Sequence, residues 1–266
     1  MTTRARHFEA TVVGREALSP HLVRLTLAGP ALAAGFASSG IPDEWVGLVV
    51  PGQFQSRYYT VRRFAGGELT LDVVLHDVGL VTEWASRDCT GETVQISEPR
   101  GSFAPPADAE WVYLVGDLTG LPAMARIAEE WGPAHPGIRL QFWAESADDL
   151  PHYLPESDAV TWSTPPAEAA SGLAGLVESL TWPPGRGYFW MAGESAQMRA
   201  IRRHLMSAQP GLAHDVMGYW RAVLRRQPRA VDPAPIWRAG KAAGRTDQQI
   251  WAAYDAARDQ AERPEG

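Results

Sequence analysis

The sequence is poor in cysteine and lysine and has no long apolar run. A single cysteine, Cys89, among 266 residues excludes an intrachain disulfide framework and a metal cluster held by cysteines. Lys241 is the only lysine among 24 basic residues, and 31 acidic residues give a formal net charge of −7. This acidic balance argues against a general nucleic-acid binder, which needs a concentrated positive surface.

No stretch approaches the roughly 20 apolar residues of a membrane helix, and the first residues do not form an apolar signal segment. We therefore expect a cytoplasmic protein with no membrane or nucleic-acid partner. The histidines other than His76 show neither a His-x-x-x-His spacing nor a carboxylate cluster, so no metal site is expected.

Short strands dominate the first hundred residues. Segments rich in Val, Leu, Thr and Tyr, most of them separated by Gly or Pro, are typical of strands. They cover residues 8–14, 21–28, 58–64, 68–75 and 92–97. The pair Gly66-Gly67 predicts a hairpin turn, because glycine adopts positive φ at low cost. Several short strands at this spacing predict a small antiparallel β-barrel.

The pattern changes after the first hundred residues. Residues 111–116 form a continuous apolar run that ends at Gly116, which fits a buried parallel strand. Further strands are expected near residues 138–144, 160–163 and 188–192, and helices near 121–131, 168–180 and 196–208. This alternation predicts an open parallel sheet with helices on its faces. We place the boundary in residues 104–109, giving a barrel domain over 1–108 and an α/β domain over 109–226.

Residues 227–266 are predicted to form a linker and a C-terminal helix. Residues 227–235 carry three prolines, as linkers often do. Residues 246–249 (Thr-Asp-Gln-Gln) match a capping box, which predicts a helix to about Glu262. That helix would pack over the site or form a homodimer contact.

Two segments of the predicted barrel could bind a nucleotide. In residues 57–62 (Arg-Tyr-Tyr-Thr-Val-Arg), arginine suits phosphate, tyrosine can stack on a ring, and threonine can hydrogen-bond a ring edge. The alternative is an ordinary strand with a solvent-facing arginine. In residues 76–85, Gly79 precedes a predicted helix with Thr82 in its first turn. That turn could bind a diphosphate or simply cap the helix.

Four further blocks follow in the same order along the chain, residues 98–101, 116–123, 192–194 and 218–221. Together with residues 57–62 and 76–85, they resemble the siderophore-interacting protein family, FAD-dependent ferric-siderophore reductases among the ferredoxin-reductase-like flavoproteins. The resemblance implies an FAD-binding barrel and an NAD(P)-binding α/β domain. It also implies that electrons pass from NADH or NADPH through the flavin to a small-molecule acceptor, a ferric siderophore.

The resemblance also assigns individual residues. FAD would be bound by Arg57, Tyr58, Tyr59, Thr60, Arg62, His76, Val78, Gly79, Val81, Thr82 and Trp84. NAD(P)H would be bound by Gly116, Asp117, Thr119, Gly193 and Glu194. Tyr219 and Trp220 are candidates to approach the flavin, and Arg100 and Arg221 are candidates to bind the acceptor. No catalytic side chain is identified, because the flavin carries the redox chemistry.

Several positions depart from the family pattern and leave two alternatives open. Gly47 replaces a basic residue, and Leu80, Glu98 and Leu118 also differ. A diverged enzyme could use the flavin scaffold for a biosynthetic step on a small organic molecule, or the chain could be a non-catalytic, ligand-binding homologue. Glu145, just past a predicted strand, could accept hydrogen bonds from a ribose diol and favour NADH, or could be a solvated carboxylate.

Overall fold

The first half of the chain is a closed antiparallel barrel. The computed structural model describes residues 6–53, 55–222, 233–245 and 253. The barrel strands are β1 (His7–Ser19), β2 (Leu22–Ala28), β3 (Trp45–Val49), β4 (Arg57–Ala65), β5 (Glu68–Val74) and β6 (Thr93–Ser97), in the order β1-β2-β5-β4-β3-β6. Two short helices, α1 (Pro30–Gly35) and α2 (Leu80–Ser86), belong to this half. The predicted barrel is confirmed.

The β4–β5 hairpin turns at the predicted glycine pair. Gly66 and Gly67 have φ values of 61° and 83°, a region that side chains disfavour. Beyond the turn, apolar side chains on alternate positions of the strands fill the barrel, among them Leu69 and Leu71 of β5. The hairpin therefore follows from the sequence pattern.

The second half is an open parallel sheet flanked by helices, as predicted. Its strands are β7 (Trp111–Asp117), β8 (Arg139–Glu145), β9 (Val160–Ser163), β10 (Gly187–Glu194) and β11 (Ala213–Trp220), in the order β11-β10-β7-β8-β9. The helices are α3 (Leu121–Arg126), which continues as a π-helical turn (Ile127–Trp131), α4 (Leu173–Ser179) and α5 (Ser195–Ala208). The strand order reverses between β7 and β10, and ligands of such sheets bind beyond the carboxyl ends of the strands at that point.

The structure differs from the expected elements at several places. Strands β3 and β11 were not predicted, and α4 begins at Leu173 rather than near residue 168. Helix α6 (Pro233–Ala242) includes the end of the predicted linker, because proline is well accommodated in the first turn of a helix. The helix predicted after Thr246 lies almost entirely outside the described residues. Within the described part of the chain, no helix is long and apolar enough to cross a membrane.

Buried acids of the barrel connect it to the second half. The hydrogen-bonded pairs are Glu44 with Arg126 Nη1 at 2.8 Å, Asp43 with Trp190 Nε1 at 3.1 Å, and Asp72 with the Tyr153 hydroxyl at 2.5 Å. All three carboxylates are buried. A buried charge is tolerated only when it is well paired, so these contacts fix how the barrel meets the sheet.

Candidate functional site

A cleft of about 850 Å³ lies between the barrel and the carboxyl ends of the parallel strands. The barrel contributes residues 57–60 of β4 and the loop of residues 76–82 that leads into α2. The sheet contributes residues 117–119 after β7, residues 145–148 after β8, and residues 219–222 at the end of β11. The cleft therefore lies where an open α/β sheet binds ligands, and the barrel closes its other side.

Two hydroxyl groups in this cleft are buried without a well-formed hydrogen bond to any described residue. They are Thr60 Oγ1 from β4 and the Tyr219 hydroxyl from β11. Thr60 is 3% exposed, and burial raises the pKa of Tyr219 above its usual value, whereas the neighbouring Thr60 hydroxyl opposes this shift. An unpaired buried hydroxyl costs about 1–3 kcal/mol. The two groups are thus suited to a ligand with polar atoms along its edge.

The loop before α2 is held by its own backbone and by Trp220. Gly79 has a φ of 142°, and the backbone N–H of His76 donates to Thr82 Oγ1 at 3.1 Å. The His76 ring stacks on Trp220 with 4.8 Å between ring centroids. Burial lowers the pKa of His76 below its usual value, although Asp77 opposes this shift. The imidazole is therefore favoured in its neutral form.

Asp117 connects the end of β7 to the aromatic pair. Its Oδ2 accepts a hydrogen bond from Trp220 Nε1 at 2.7 Å. Its Oδ1 accepts from the backbone N–H and the hydroxyl of Thr119, at 2.9 and 2.6 Å. Burial raises the pKa of Asp117, and these hydrogen bonds oppose the shift. His76, Trp220 and Asp117 thus form a continuous chain of contacts from barrel to sheet.

Glu145, at the end of β8, is a buried carboxyl in the same cleft. It is 3% exposed, and its Oε2 accepts a hydrogen bond from the backbone N–H of Gly172 at 2.8 Å. Its Oε1 is buried and has no hydrogen-bond partner among the described residues. Burial raises the pKa of Glu145, the Gly172 N–H and the Ser171 hydroxyl oppose this shift, and the nearby Asp117 adds to it. The alternative of a solvated carboxylate is therefore wrong.

The structure brings most of the predicted cofactor residues to the cleft. All residues predicted to bind FAD line it except Arg62 and Trp84. Arg62 instead donates two hydrogen bonds to Glu129, at 2.7 and 2.5 Å. Trp84 is buried in the barrel core, and its Nε1 donates to Glu92 at 2.9 Å.

The predicted nucleotide residues divide into those that line the cleft and those beneath it. Asp117 and Thr119 line it, whereas Gly116, Gly193 and Glu194 do not. A Cβ atom at Gly193 would lie 2.7 Å from Asp117 Oδ2, so this glycine makes room for the carboxylate. Glu194 caps α5 by accepting from the backbone N–H groups of Ala196 and Gln197, at 2.6 and 3.2 Å.

The residues predicted to approach the flavin or to bind the acceptor do not all lie in the cleft. Tyr219, Trp220 and Arg221 line the cleft. Arg100 is exposed and is not among the lining residues; its backbone pairs with Trp45, with an N···O distance of 2.9 Å. The arginines predicted to bind the acceptor therefore lie at different places in the molecule.

Sequence reasoning missed Asp148, which lines the cleft after β8. Its carboxylate accepts hydrogen bonds from the Ser19 hydroxyl and from His21 of the β1–β2 turn, the backbone N–H at 2.9 Å and Nδ1 at 2.6 Å. Burial would raise the pKa of Asp148, but these hydrogen bonds lower it overall. The contact depends on two segments far apart in the chain, so no local motif could reveal it.

Two family descriptions match the chain. Residues 109–223 match "Siderophore-interacting protein", and residues 52–103 match "Siderophore-interacting FAD-binding domain". An uncharacterized protein of Mycobacterium tuberculosis is 27% identical, covering 79% of this chain and 88% of its own. The NADPH-dependent ferric-chelate reductase of Escherichia coli is 26% identical, covering 77% of this chain and 88% of its own.

Solved structures show the same architecture. A siderophore utilization protein from T. fusca is 28% identical with a TM-score of 0.69, covering 84% of this chain and 96% of that one. A ferredoxin NADP+ reductase from Neisseria gonorrhoeae, only 13% identical, has a TM-score of 0.61 over 82% of this chain and 100% of that one, and therefore shows the fold alone. Together, the matches at both halves and the shared architecture show that this chain belongs to the siderophore-interacting protein family and has a ferredoxin-reductase-like fold.

Proposed function

We propose that this protein is an FAD-dependent oxidoreductase that takes electrons from NADH or NADPH and reduces a ferric siderophore. The observation that carries the proposal is the cleft itself. It brings residues 57–60 and 76–82 of the barrel to the ends of β7 and β11. Family membership supports FAD as the group that lies there, and the E. coli relative, a ferric-chelate reductase, supports the acceptor.

The residues present fit a flavin nucleotide. The buried hydroxyls of Thr60 and Tyr219 would hydrogen-bond polar edges of the ring system, and Tyr59 and Trp220 offer aromatic surface. Arg57 presents a guanidinium suited to phosphate. When bound, a flavin supplies the hydride and single-electron chemistry, so the side chains need only align the rings, exclude water and set the potential.

Two arginines, Arg57 and Arg221, are among the described residues that line the cleft. Gly47, which stands where the family pattern has a basic residue, is buried in β3 and does not line the cleft. A Cβ there would lie 3.0 Å from Ser56 Cβ and 3.3 Å from Ser97 Oγ. An anionic ferric siderophore would therefore be bound by the two arginines, whereas the second candidate, a small organic acceptor of a diverged enzyme, needs neither.

The first test is the visible absorption spectrum of the freshly purified protein, before and after anaerobic addition of NADH or NADPH. A flavin spectrum that bleaches would establish the reductase half-reaction. If the flavin spectrum persists with both nucleotides, the donor half of the proposal is wrong and organic substrates become the candidates. No flavin, even after FAD is added, would reject both enzyme proposals and favour the non-catalytic homologue.

The role of Thr60 can be tested separately. Thr60→Val removes the buried hydroxyl with little change in shape, and we expect FAD affinity to fall about five- to tenfold. Thr93→Val makes the same change on an exposed position of β6 and should leave the affinity unchanged. Equal FAD affinity in all three proteins, measured by fluorescence titration, would remove Thr60 from the proposed site.

A further inference from the structure

The choice between NADH and NADPH depends on the groups at the end of β8. NADPH carries a 2′-phosphate on the adenosine ribose, which proteins with this sheet bind with arginine, whereas NADH carries a hydroxyl that a carboxylate can bind. Glu145 ends β8 and is the register partner of Asp117 on β7. A dinucleotide that lies across the ends of β7 and β8 would therefore bring its ribose to Glu145.

One carboxyl oxygen of Glu145 is available as a hydrogen-bond acceptor. Its Oε2 is occupied by the Gly172 backbone N–H, but its buried Oε1 has no partner among the described residues. A buried carboxylate oxygen without a donor is costly, and a ribose 2′-hydroxyl is a donor of the right chemistry. A phosphate at the same point would meet an acidic group that offers no positive charge, whichever protonation state its raised pKa gives it.

The cavity next to Glu145 carries more acidic than basic side chains. A second cavity of about 810 Å³ continues from the cleft, sharing Ser146 and Asp148 with it. It is lined by the acids Asp148, Asp149 and Glu156 and by His152, which pairs with Glu156. Neither arginine nor lysine is among the described residues that line it. Hydrogen bonds from the β1–β2 turn to Asp148 lower the pKa of that carboxyl, which keeps it charged.

This second cavity also offers a surface for a base. Trp162 of the edge strand β9 lines it and is 43% exposed, unusual for so large an apolar side chain. An adenine ring can stack on such an indole. The cavity therefore combines an aromatic surface with an acidic lining next to Glu145.

We infer that the donor nucleotide of this protein is NADH rather than NADPH, and that Glu145 selects it by accepting a hydrogen bond from the adenosine 2′-hydroxyl. The inference rests on the proposed function, because it concerns the donor of the same cleft. It differs from the activity named for the E. coli relative, which is NADPH-dependent.

The test uses two fragments that differ only at this position, 5′-AMP and 2′,5′-ADP, on the full chain saturated with FAD. Calorimetric affinities should favour 5′-AMP by at least about tenfold, and kcat/KM for anaerobic flavin reduction should favour NADH over NADPH by a similar factor. Glu145→Gln should lower the affinity for 5′-AMP. It should also reduce the preference for 5′-AMP over 2′,5′-ADP and the preference for NADH over NADPH. Glu178→Gln, the same change on an exposed position of α4, should leave the 5′-AMP affinity and both preferences unchanged.

Each other outcome has a definite meaning. A wild-type preference for 2′,5′-ADP and NADPH would overturn the inference while the proposed reductase stands. A Glu145→Gln protein that loses stability or affinity for both fragments equally, at an unchanged ratio, would show that Glu145 only supports α4. Bleaching by neither nucleotide would overturn the inference together with the donor half of the proposed function. If Glu145→Gln does not fold, the wild-type ratios and those of Glu145→Asp, which should keep the preference, decide.

Discussion

At the scale of single residues, the contact between His76 and Trp220 controls a charge inside the cleft. The two rings stack, and Trp220 is held in place by its hydrogen bond to Asp117. Burial, to which the indole contributes one face, disfavours the imidazolium, so the histidine gives up its proton more easily than it would in water. A neutral ring at this position leaves the cationic character of the cleft to the arginines.

We expect the His76 ring to titrate below its usual pKa of 6.5. Trp220→Ala should raise that pKa towards 6.5 because it exposes the ring, whereas Trp220→Phe keeps a stacked ring and should leave the pKa low. The measurement is an NMR pH titration of the histidine ring protons, with the signal assigned by its loss in His76→Gln. A pKa at or above 6.5 in the wild-type protein would contradict the stacking argument.

The same shift has a consequence for stability. Between pH 6.5 and the lowered pKa, the unfolded chain binds a proton that the folded chain does not. The contribution of His76 to the free energy of unfolding is therefore present above pH 6.5 and lost as the pH falls through this window. Urea unfolding of the wild-type protein and His76→Gln should show a difference that changes in that direction. A difference that is constant with pH would show that His76 does not titrate differently on folding.

At the scale of secondary-structure elements, Glu194 illustrates how a site residue suggested by the family can have a structural task. It is 2% exposed and accepts three backbone N–H groups, from Ala196 and Gln197 at the start of α5 and from Ala222 beyond β11 at 3.2 Å. One carboxylate therefore begins a helix and fixes the end of the strand that carries Tyr219 and Trp220. The cleft depends on Glu194 indirectly.

Glu194→Ala should lower the free energy of unfolding by about 1–2 kcal/mol, the usual cost of losing a helix N-cap. Glu178→Ala, on an exposed position of α4, should change it by less than about 0.5 kcal/mol. Both values come from urea unfolding followed by circular dichroism. Equal effects of the two substitutions would mean that the cap contributes nothing beyond the loss of a surface carboxylate.

The sequence predicts a strand well or poorly depending on where the strand lies in its sheet. β7 is buried along its whole length, so its unbroken apolar run identifies it. β11 is an edge strand in which Val216 is the only fully buried residue, and a pattern with so few buried positions gives no strand signal. β3 is five residues long with Gly47 at its centre, and glycine is uncommon inside strands.

Side-chain direction is the other part that local patterns do not determine. Arg62 belongs to the same motif as Arg57, but the two lie an odd number of positions apart, and strand alternation then favours opposite faces. The pairing of β4 with β5 also shifts register between Val61 and Arg63, which redirects the side chains around it. Arg62 contacts Glu129 of the second half instead of the cleft, a contact between distant segments that the motif does not encode.

At the scale of the whole molecule, the shape of the cleft depends on a fixed orientation of the barrel relative to the sheet. The contact between Glu44 and Arg126 is the most buried ion pair across this interface, with side chains 0% and 5% exposed. Glu44 also accepts hydrogen bonds from Ser38 and Ser39, and Arg126 donates to the Val61 carbonyl at 2.9 Å. Each of the two charged groups thus has a hydrogen-bond partner in addition to the other.

Removing one partner of this ion pair should lower the free energy of unfolding by more than the pair itself contributes, because the other charge is left buried and uncompensated. We expect Arg126→Met to lower the free energy of unfolding by about 3–5 kcal/mol, and Arg126→Met with Glu44→Gln to recover part of that loss. Arg186→Met breaks an ion pair with Asp108 whose side chains are 63% and 65% exposed, and it should cost less than about 1 kcal/mol. The measurement is urea unfolding at one pH of the wild-type protein, the three single variants Arg126→Met, Glu44→Gln and Arg186→Met, and the double variant. A double variant as unstable as the sum of its single substitutions would show that Glu44 is held by the barrel alone, and that the orientation of the two halves depends on the contacts of Asp43 and Asp72 instead.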